Sequence, residues 1–158
     1  MQIFNPVRVK RSYTQKLRGS PDEVFPLLCP VREGEWTRGW DPLAVYSNSG
    51  VAERDCIFTT GNEEPESIWV ITEHDPARHA LEIIKVSPGV TVGRISIRLS
   101  EGDSGGASAK VEYMYTAIGP DGEEFVQGYS QEFFDKFRQF SESALNAFLD
   151  ERRQASDG

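Results

Sequence analysis

This chain has few of the residues that usually announce chemistry. Its 158 residues include two cysteines and two histidines. Cys29 and Cys56 stand far apart and form no C-x-x-C pair, which excludes a disulfide framework and a paired-cysteine zinc site. They read as free, partly buried thiols in a reducing compartment. As a nucleophile, Cys29 would need a basic partner, and either histidine would have to come from a distant turn. His74 and His79 bracket Asp75-Pro76 and read as turn residues. No H-x-x-x-H spacing occurs, so no metal and no cofactor are expected. The glycines from Gly102 to Gly106 lie between two expected strands, so no helix N-terminus is there to cradle a phosphate.

Positive charge is also scarce. Seventeen Lys and Arg face twenty-five Asp and Glu, for a formal net charge of −8. Basic runs stop at two residues, as at Lys10-Arg11, which argues against nucleic-acid binding and against docking on anionic lipid. The acidic surplus reads as ordinary solubility. Apolar runs are only a few residues long, far below the roughly 20 of a membrane span, so no membrane insertion is expected. Met1 to Lys10 alternates charged and apolar residues and lacks the apolar core of a signal peptide. A cytoplasmic protein is expected. The length fits a single domain over residues 1–158 with an ordered core of about 5–150.

What the chain does have is a long amphipathic helix near its end. From residue 130 to about 153, Phe133, Phe137, Phe140, Ala144 and Phe148 recur at three- and four-residue spacing. Phe134, Leu145 and Leu149 widen the stripe. The pattern predicts about six turns with one broad apolar side. Ser130 caps the first turn and Arg152 and Arg153 sit at the negative end of the dipole. Residues 154–158 read as a frayed tail.

The preceding residues read as a sheet. Val7 to Leu17 alternates with period two and predicts a half-exposed strand ended by Gly19. Ser20-Pro21-Asp22-Glu23 is a helix start with a capping box, and Pro26 limits that helix to a short, bent piece ending by Cys29-Pro30. A second short helical segment is expected to carry Trp36 and Trp40 on one face. Strands follow at about 44–47, 55–60, 67–73, 80–86, 92–100 and 109–118, separated by turns that include Asn48-Ser49-Gly50, Gly61-Asn62, Asp75-Pro76 and Ser87-Pro88-Gly89. Gly119-Pro120-Asp121-Gly122 reads as the turn out of the last strand. Short connections favour antiparallel pairing. The expected class is α+β: a curved seven-stranded antiparallel sheet wrapped around the long C-terminal helix, with two short helices after the first strand. Such a sheet leaves a pocket under its helix.

The element order, Gly19-Ser-Pro-Asp-Glu-Val-Phe25, the Trp36/Trp40 pair and the Phe-rich last helix resemble the START-like superfamily. That superfamily is also called SRPBCC or helix-grip, and it includes polyketide cyclase-like proteins. Cys29-Pro-Val-Arg-Glu-Gly-Glu-Trp36 followed by Gly39-Trp40 resembles a bacterial branch of it. The resemblance implies a helix-grip fold. It fixes no activity, because the fold hosts binding proteins, enzymes and chaperone partners.

Two groups of residues are candidates for the site. Cys29 to Trp40 gathers Arg32, Glu35, Trp36 and Trp40, which suit a polar mouth with an apolar wall; paired at the surface instead, Arg32 and Glu35 would be an ordinary ion pair. Trp69, Tyr113 and Tyr115 suit an aromatic lining if alternation puts Tyr113 and Tyr115 on the concave face. Phe133, Phe137 and Phe140 would complete the walls. The leading reading is a non-enzymatic module that binds a small hydrophobic molecule: a lipid, an aromatic or a polyketide-like metabolite. The alternatives are a cyclase- or dehydratase-type enzyme with Tyr113 or Tyr115 as acid, and a chaperone-activator-type adaptor with a protein partner.

Overall fold

A computed structural model describes residues 1–61 and 66–157. Seven strands form one antiparallel sheet in the order β1-β7-β6-β5-β4-β3-β2. They are β1 Arg8–Leu17, β2 Ala44–Tyr46, β3 Ile57–Thr60, β4 Ser67–Asp75, β5 Ala80–Ser87, β6 Thr91–Glu101 and β7 Ala107–Ala117. The sheet is a meander from β2 to β7. Only β1 departs from sequence order, pairing with β7 from Arg8↔Thr116 to Leu17↔Ala107. Of the expected turns, Asn62 in Gly61-Asn62 lies outside the described residues.

Three helices complete the fold: α1 Pro21–Val24, α2 Pro120–Gly128 and α3 Gln131–Asp157. Ser20 caps α1, and its hydroxyl and the Glu23 carboxylate form the expected capping box. Pro26 falls in a 3₁₀ turn, Phe25–Leu27, that follows α1 directly. The tightening is what a proline two residues past a four-residue helix imposes, since its ring removes an interior donor.

Three expectations need correction. The segment thought to hold Trp36 and Trp40 on one helical face is a single 3₁₀ turn, Glu33–Glu35, which ends before Trp40. Each indole instead donates to a backbone carbonyl, Trp36 Nε1 to Leu27 at 2.9 Å and Trp40 Nε1 to Pro30 at 2.8 Å. Gly119-Pro120-Asp121-Gly122 is not a simple turn but the start of α2, with proline in the first turn and Asp121 and Glu123 at the positive end of its dipole. The tail expected to fray is helical to Asp157.

The register sorts side chains into rows that run across the sheet. On the concave face one row reads Trp69, Lys85, Gly93, Tyr115, Val9. The next reads Ile71, Ile83, Ile95, Tyr113, Arg11. Beyond it lie Leu81, Ile97, Val111 and Tyr13, then Leu99, Ala109 and Gln15. Leu17, Leu99, Ala107 and Ala109 close that end of the face, buried with Val24, Leu27, Leu145 and Leu149. The convex face carries a second apolar set, in which Ile57, Val70 and Ile84 are aligned across three strands.

α3 lies along the edge strand β1, and a polar seam joins them. Asn146 is buried. Its Oδ1 accepts from the Arg18 N–H at 2.8 Å and its Nδ2 donates to the Lys16 carbonyl at 3.0 Å. Gln15 Nε2 donates to Ser141 Oγ at 2.6 Å. An edge strand offers unpaired backbone groups, and Asn146 and Glu142 occupy those of Lys16 and Arg18. Asn146→Ala leaves a backbone donor and acceptor without partners under the helix. We expect it to cost about 2 kcal/mol, read from urea unfolding midpoints, whereas the exposed Arg18–Asp150 pair contributes far less.

Candidate functional site

The helix covers the concave face unevenly. Phe134 is fully buried, with its ring 4.6 Å from that of Tyr13 and 5.1 Å from that of Tyr113. The other buried α3 residues are Leu145, Asn146 and Leu149. Phe133, Phe137 and Phe140 retain 57%, 44% and 58% of their exposure. The apolar stripe is therefore turned from the expected centre. Helix packing follows Phe134, Leu145 and Leu149, and the three phenylalanines form a rim beside the groove. Phe137 still reaches Tyr113, at 6.2 Å between rings.

Under that rim the middle of the concave face is only partly filled: Ile95 and Val111 are buried, and their neighbours are not. Tyr13, Ile83, Lys85, Ile97 and Tyr113 point inward from three adjacent rows, yet each is only half-buried. The rows towards Leu17 are closed. No buried polar side-chain atom lacks a partner among the described residues. The tips of Glu33, Lys85 and Tyr113 make no hydrogen bond there, so they reach solvent-sized space rather than packed core.

The electrostatics fit an enclosed space. Burial pushes the Tyr113 hydroxyl well above its usual pKa and pushes those of Tyr13 and Tyr115 up to about 12. Burial also pushes the Glu33 carboxyl up to about 7, and its charge is felt at both Tyr13 and Tyr113. The Lys85 amine is lowered by burial alone. Its Nζ lies 4.5 Å from the centroid of the Trp69 ring.

Aromatic rings make one wall. Phe58 stacks on Trp69 at 5.2 Å, and Trp40 meets Trp69 edge-on at 6.1 Å. Trp69 Nε1 is held by Thr60 Oγ1 at 3.0 Å, which fixes the ring plane. At the other end Tyr115 lies against Phe125 and Tyr129, at 5.0 and 5.2 Å. Gly93 makes room there, because a Cβ at that position would sit 2.8 Å from the Tyr115 ring. A shallow cleft of about 400 Å³ opens beside it between α2 and α3, lined by Phe125, Tyr129 and Phe133.

The expected site residues thus divide. Tyr113 and Tyr115 face inward, and Trp40 and Trp69 form a wall. Trp36 packs partly buried at the core's edge. Arg32 and Glu35 bond each other at 2.9 Å at the surface and are turned away from the groove. Glu33, between them in sequence, is the carboxylate that turns in. His74 and His79 pack on Phe25, at 5.0 and 5.9 Å, and His79 also meets Asp22 at 2.7 Å.

Comparison with known proteins gives a fold and no closer relation. No protein-family model matches the chain, and no curated protein matches it. Solved structures do. Norcoclaurine synthase from Thalictrum flavum, a point mutant in complex with a transition-state analogue, aligns over 96% of this chain and 99% of its own, at 13% identity and a TM-score of 0.67. Ara h 8.0201 aligns over 90% and 99% at 12% identity and a TM-score of 0.60. DynU16, a putative protein in the dynemicin biosynthetic locus, aligns over 89% of this chain but 47% of its own, at 14% identity and a TM-score of 0.58. The chain shares the helix-grip fold of these structures, a seven-stranded antiparallel sheet with a long C-terminal helix and short helices. Among the described residues no helix is long and apolar enough to cross a membrane.

Proposed function

We propose that this protein binds a small, largely aromatic molecule in the groove between α3 and the concave face. The observation that supports the reading is the uneven filling of that face, where inward-pointing Ile83, Ile97 and Tyr113 stay half-buried although the ends of their rows and the residues towards Leu17 are buried. Trp40, Trp69, Tyr113 and Tyr115 form the walls, Phe133, Phe137 and Phe140 the rim, and Trp36 braces the loop behind Trp40. Apolar walls with a few convergent polar groups are the usual composition of a small-molecule site.

A second reading, acid–base chemistry on the bound molecule, is favoured by Glu33. A carboxyl that titrates near neutral pH beside two tyrosine hydroxyls suits proton transfer to or from a carbonyl compound. Solved structures of this fold include a norcoclaurine synthase and a protein from a biosynthetic locus, and a fold alone does not choose between binding and catalysis.

The test is to fill the groove. Ile97→Trp adds an indole at its centre. With a neutral fluorescent arylamine, N-phenyl-1-naphthylamine, as probe, we expect saturable binding to the native protein and at least tenfold weaker binding to the variant, with unchanged circular dichroism. Equal binding by both would place the probe elsewhere and remove the basis of this reading.

A further inference from the structure

Lys85 is out of place on the face it occupies. In β5 it points inward between Trp69 on one neighbouring strand and Gly93 on the other. Every other inward residue of its row is aromatic, aliphatic or glycine. Its amine lies over the Trp69 ring, and the described residues supply it with no carboxylate. An ammonium in such a place loses hydration, and a cation–π contact replaces only part of that loss. An apolar side chain such as Met would fill the same row at lower cost.

We propose that Lys85 is the recognition point for an anionic group, and that the ligand of the groove is an aromatic carboxylate. This rests on the groove being a ligand site and adds the class of ligand. The geometry sets the orientation. Buried Phe58 stacks on Trp69 from one side and the Lys85 amine lies over the same ring from the other, so Trp69 holds Nζ in place and an aromatic acid in the groove meets the amine through its carboxylate. On the other side the Tyr115 ring lies over Gly93, so the Lys85 stem is flanked by aromatic rings on both neighbouring sides of its row. Glu33 and the Tyr13 and Tyr113 hydroxyls sit further in. A carboxylate is repelled from Glu33 once that group ionises, and a ligand hydroxyl is accepted by it. The two polar ends of the groove therefore select one direction of insertion. Arg11, the other inward cation, is already engaged, its Nε donating to the Tyr129 carbonyl at 3.1 Å.

The experiment compares 2-naphthoate with 2-naphthamide, which share a ring and differ in charge, by titration calorimetry at pH 7. The expected result is at least tenfold tighter binding of the carboxylate to the native protein. Lys85→Met should erase that preference while leaving the amide's affinity unchanged, and Lys85→Arg should keep it. Equal affinities in the native protein, or a preference that survives in Lys85→Met, overturns the assignment to Lys85 and leaves the groove standing. Binding of neither compound, together with failure of the neutral arylamine to bind, overturns the groove as well. Lys85→Met removes a desolvated charge, so its folding is not at risk. Equal unfolding midpoints, or a higher one for the variant, would document this.

Discussion

Phe134→Ala lowers the unfolding free energy by about 3–5 kcal/mol, the largest loss expected of any single truncation in the last helix. The ring is completely enclosed and touches Tyr13, Tyr113 and Tyr129 at once. The other ties at this end of α3 are weaker: Phe133 is more than half exposed, Phe137 reaches Tyr113 only at 6.2 Å, and Gln131 bonds the Ser12 carbonyl at the surface. The cavity left behind is lined by three tyrosines whose positions depend on that ring. The control is Phe137→Ala, three residues along the same helix. It should cost about 1 kcal/mol or less, as expected for a rim residue with little buried area. Chemical denaturation of the two variants checks the pair. Similar losses would mean that the helix presents Phe133, Phe137 and Phe140 to the sheet after all.

The second large effect depends on pH. Glu33 has a folded pKa of about 7 against 4.5 for the ordinary group, raised by burial. At pH 4 both folded and unfolded chains hold the proton, and Glu33 has no bearing on stability. As pH rises from 4.5 to 7 the unfolded chain ionises first, so stability falls. Above pH 7 the loss is complete, at about 3 kcal/mol. Glu33→Gln lacks this titration. The variant should match the native protein at pH 4 and exceed it by that amount at pH 8, measured by urea unfolding. A gap that does not change with pH would show that the carboxyl is solvated normally and is not held in the groove.

The fold was legible because its signals are local and repeated. Alternation along Val7 to Leu17 and through β6 and β7 sets the strands, and the Ser20 capping box sets α1. Alternation also grouped Tyr113 with Tyr115, and the apolar neighbours Val111 and Ala117 on the same side pointed them inward. Where the reading fell short, two patterns competed. In β5 the residues Ile84 and Val86 form as good an apolar set as Leu81 and Ile83, so nothing in the sequence turns Lys85 inward. Only pairing with β4 and β6 decides it. The aromatic stripe of α3 is wider than the face that packs, and periodicity alone cannot tell its centre from its edge. The polar seam through Gln15, Ser141 and Asn146 chose the edge, because β1 has backbone groups to satisfy there.

α2 was hidden by a residue that helices disfavour. Gly122 reads as a turn glycine, yet Pro120, Asp121 and Glu123 form a sound helix start. The glycine is required by packing: a Cβ on it would lie 1.8 Å from the Val90 carbonyl oxygen. Glu33 was hidden differently. It lies among charged residues in a loop, where surface pairing is the usual outcome, and its neighbours Arg32 and Glu35 do pair there. Glu33 and Glu35 share one 3₁₀ turn, which points the first carboxylate inward and leaves the second at the surface with Arg32.

The most direct test of the central claim is an amide-resolved NMR titration of the native protein with fatty acids, sterols, flavonoids and aromatic acids. The account predicts saturable shifts from at least one aromatic class, centred on Trp69, Lys85, Ile97 and Tyr113 and extending to Phe137 across the groove. Saturable shifts confined to the convex face around Ile57, Val70 and Ile84, with the concave rows silent, would contradict it and move the binding surface to the other side of the sheet.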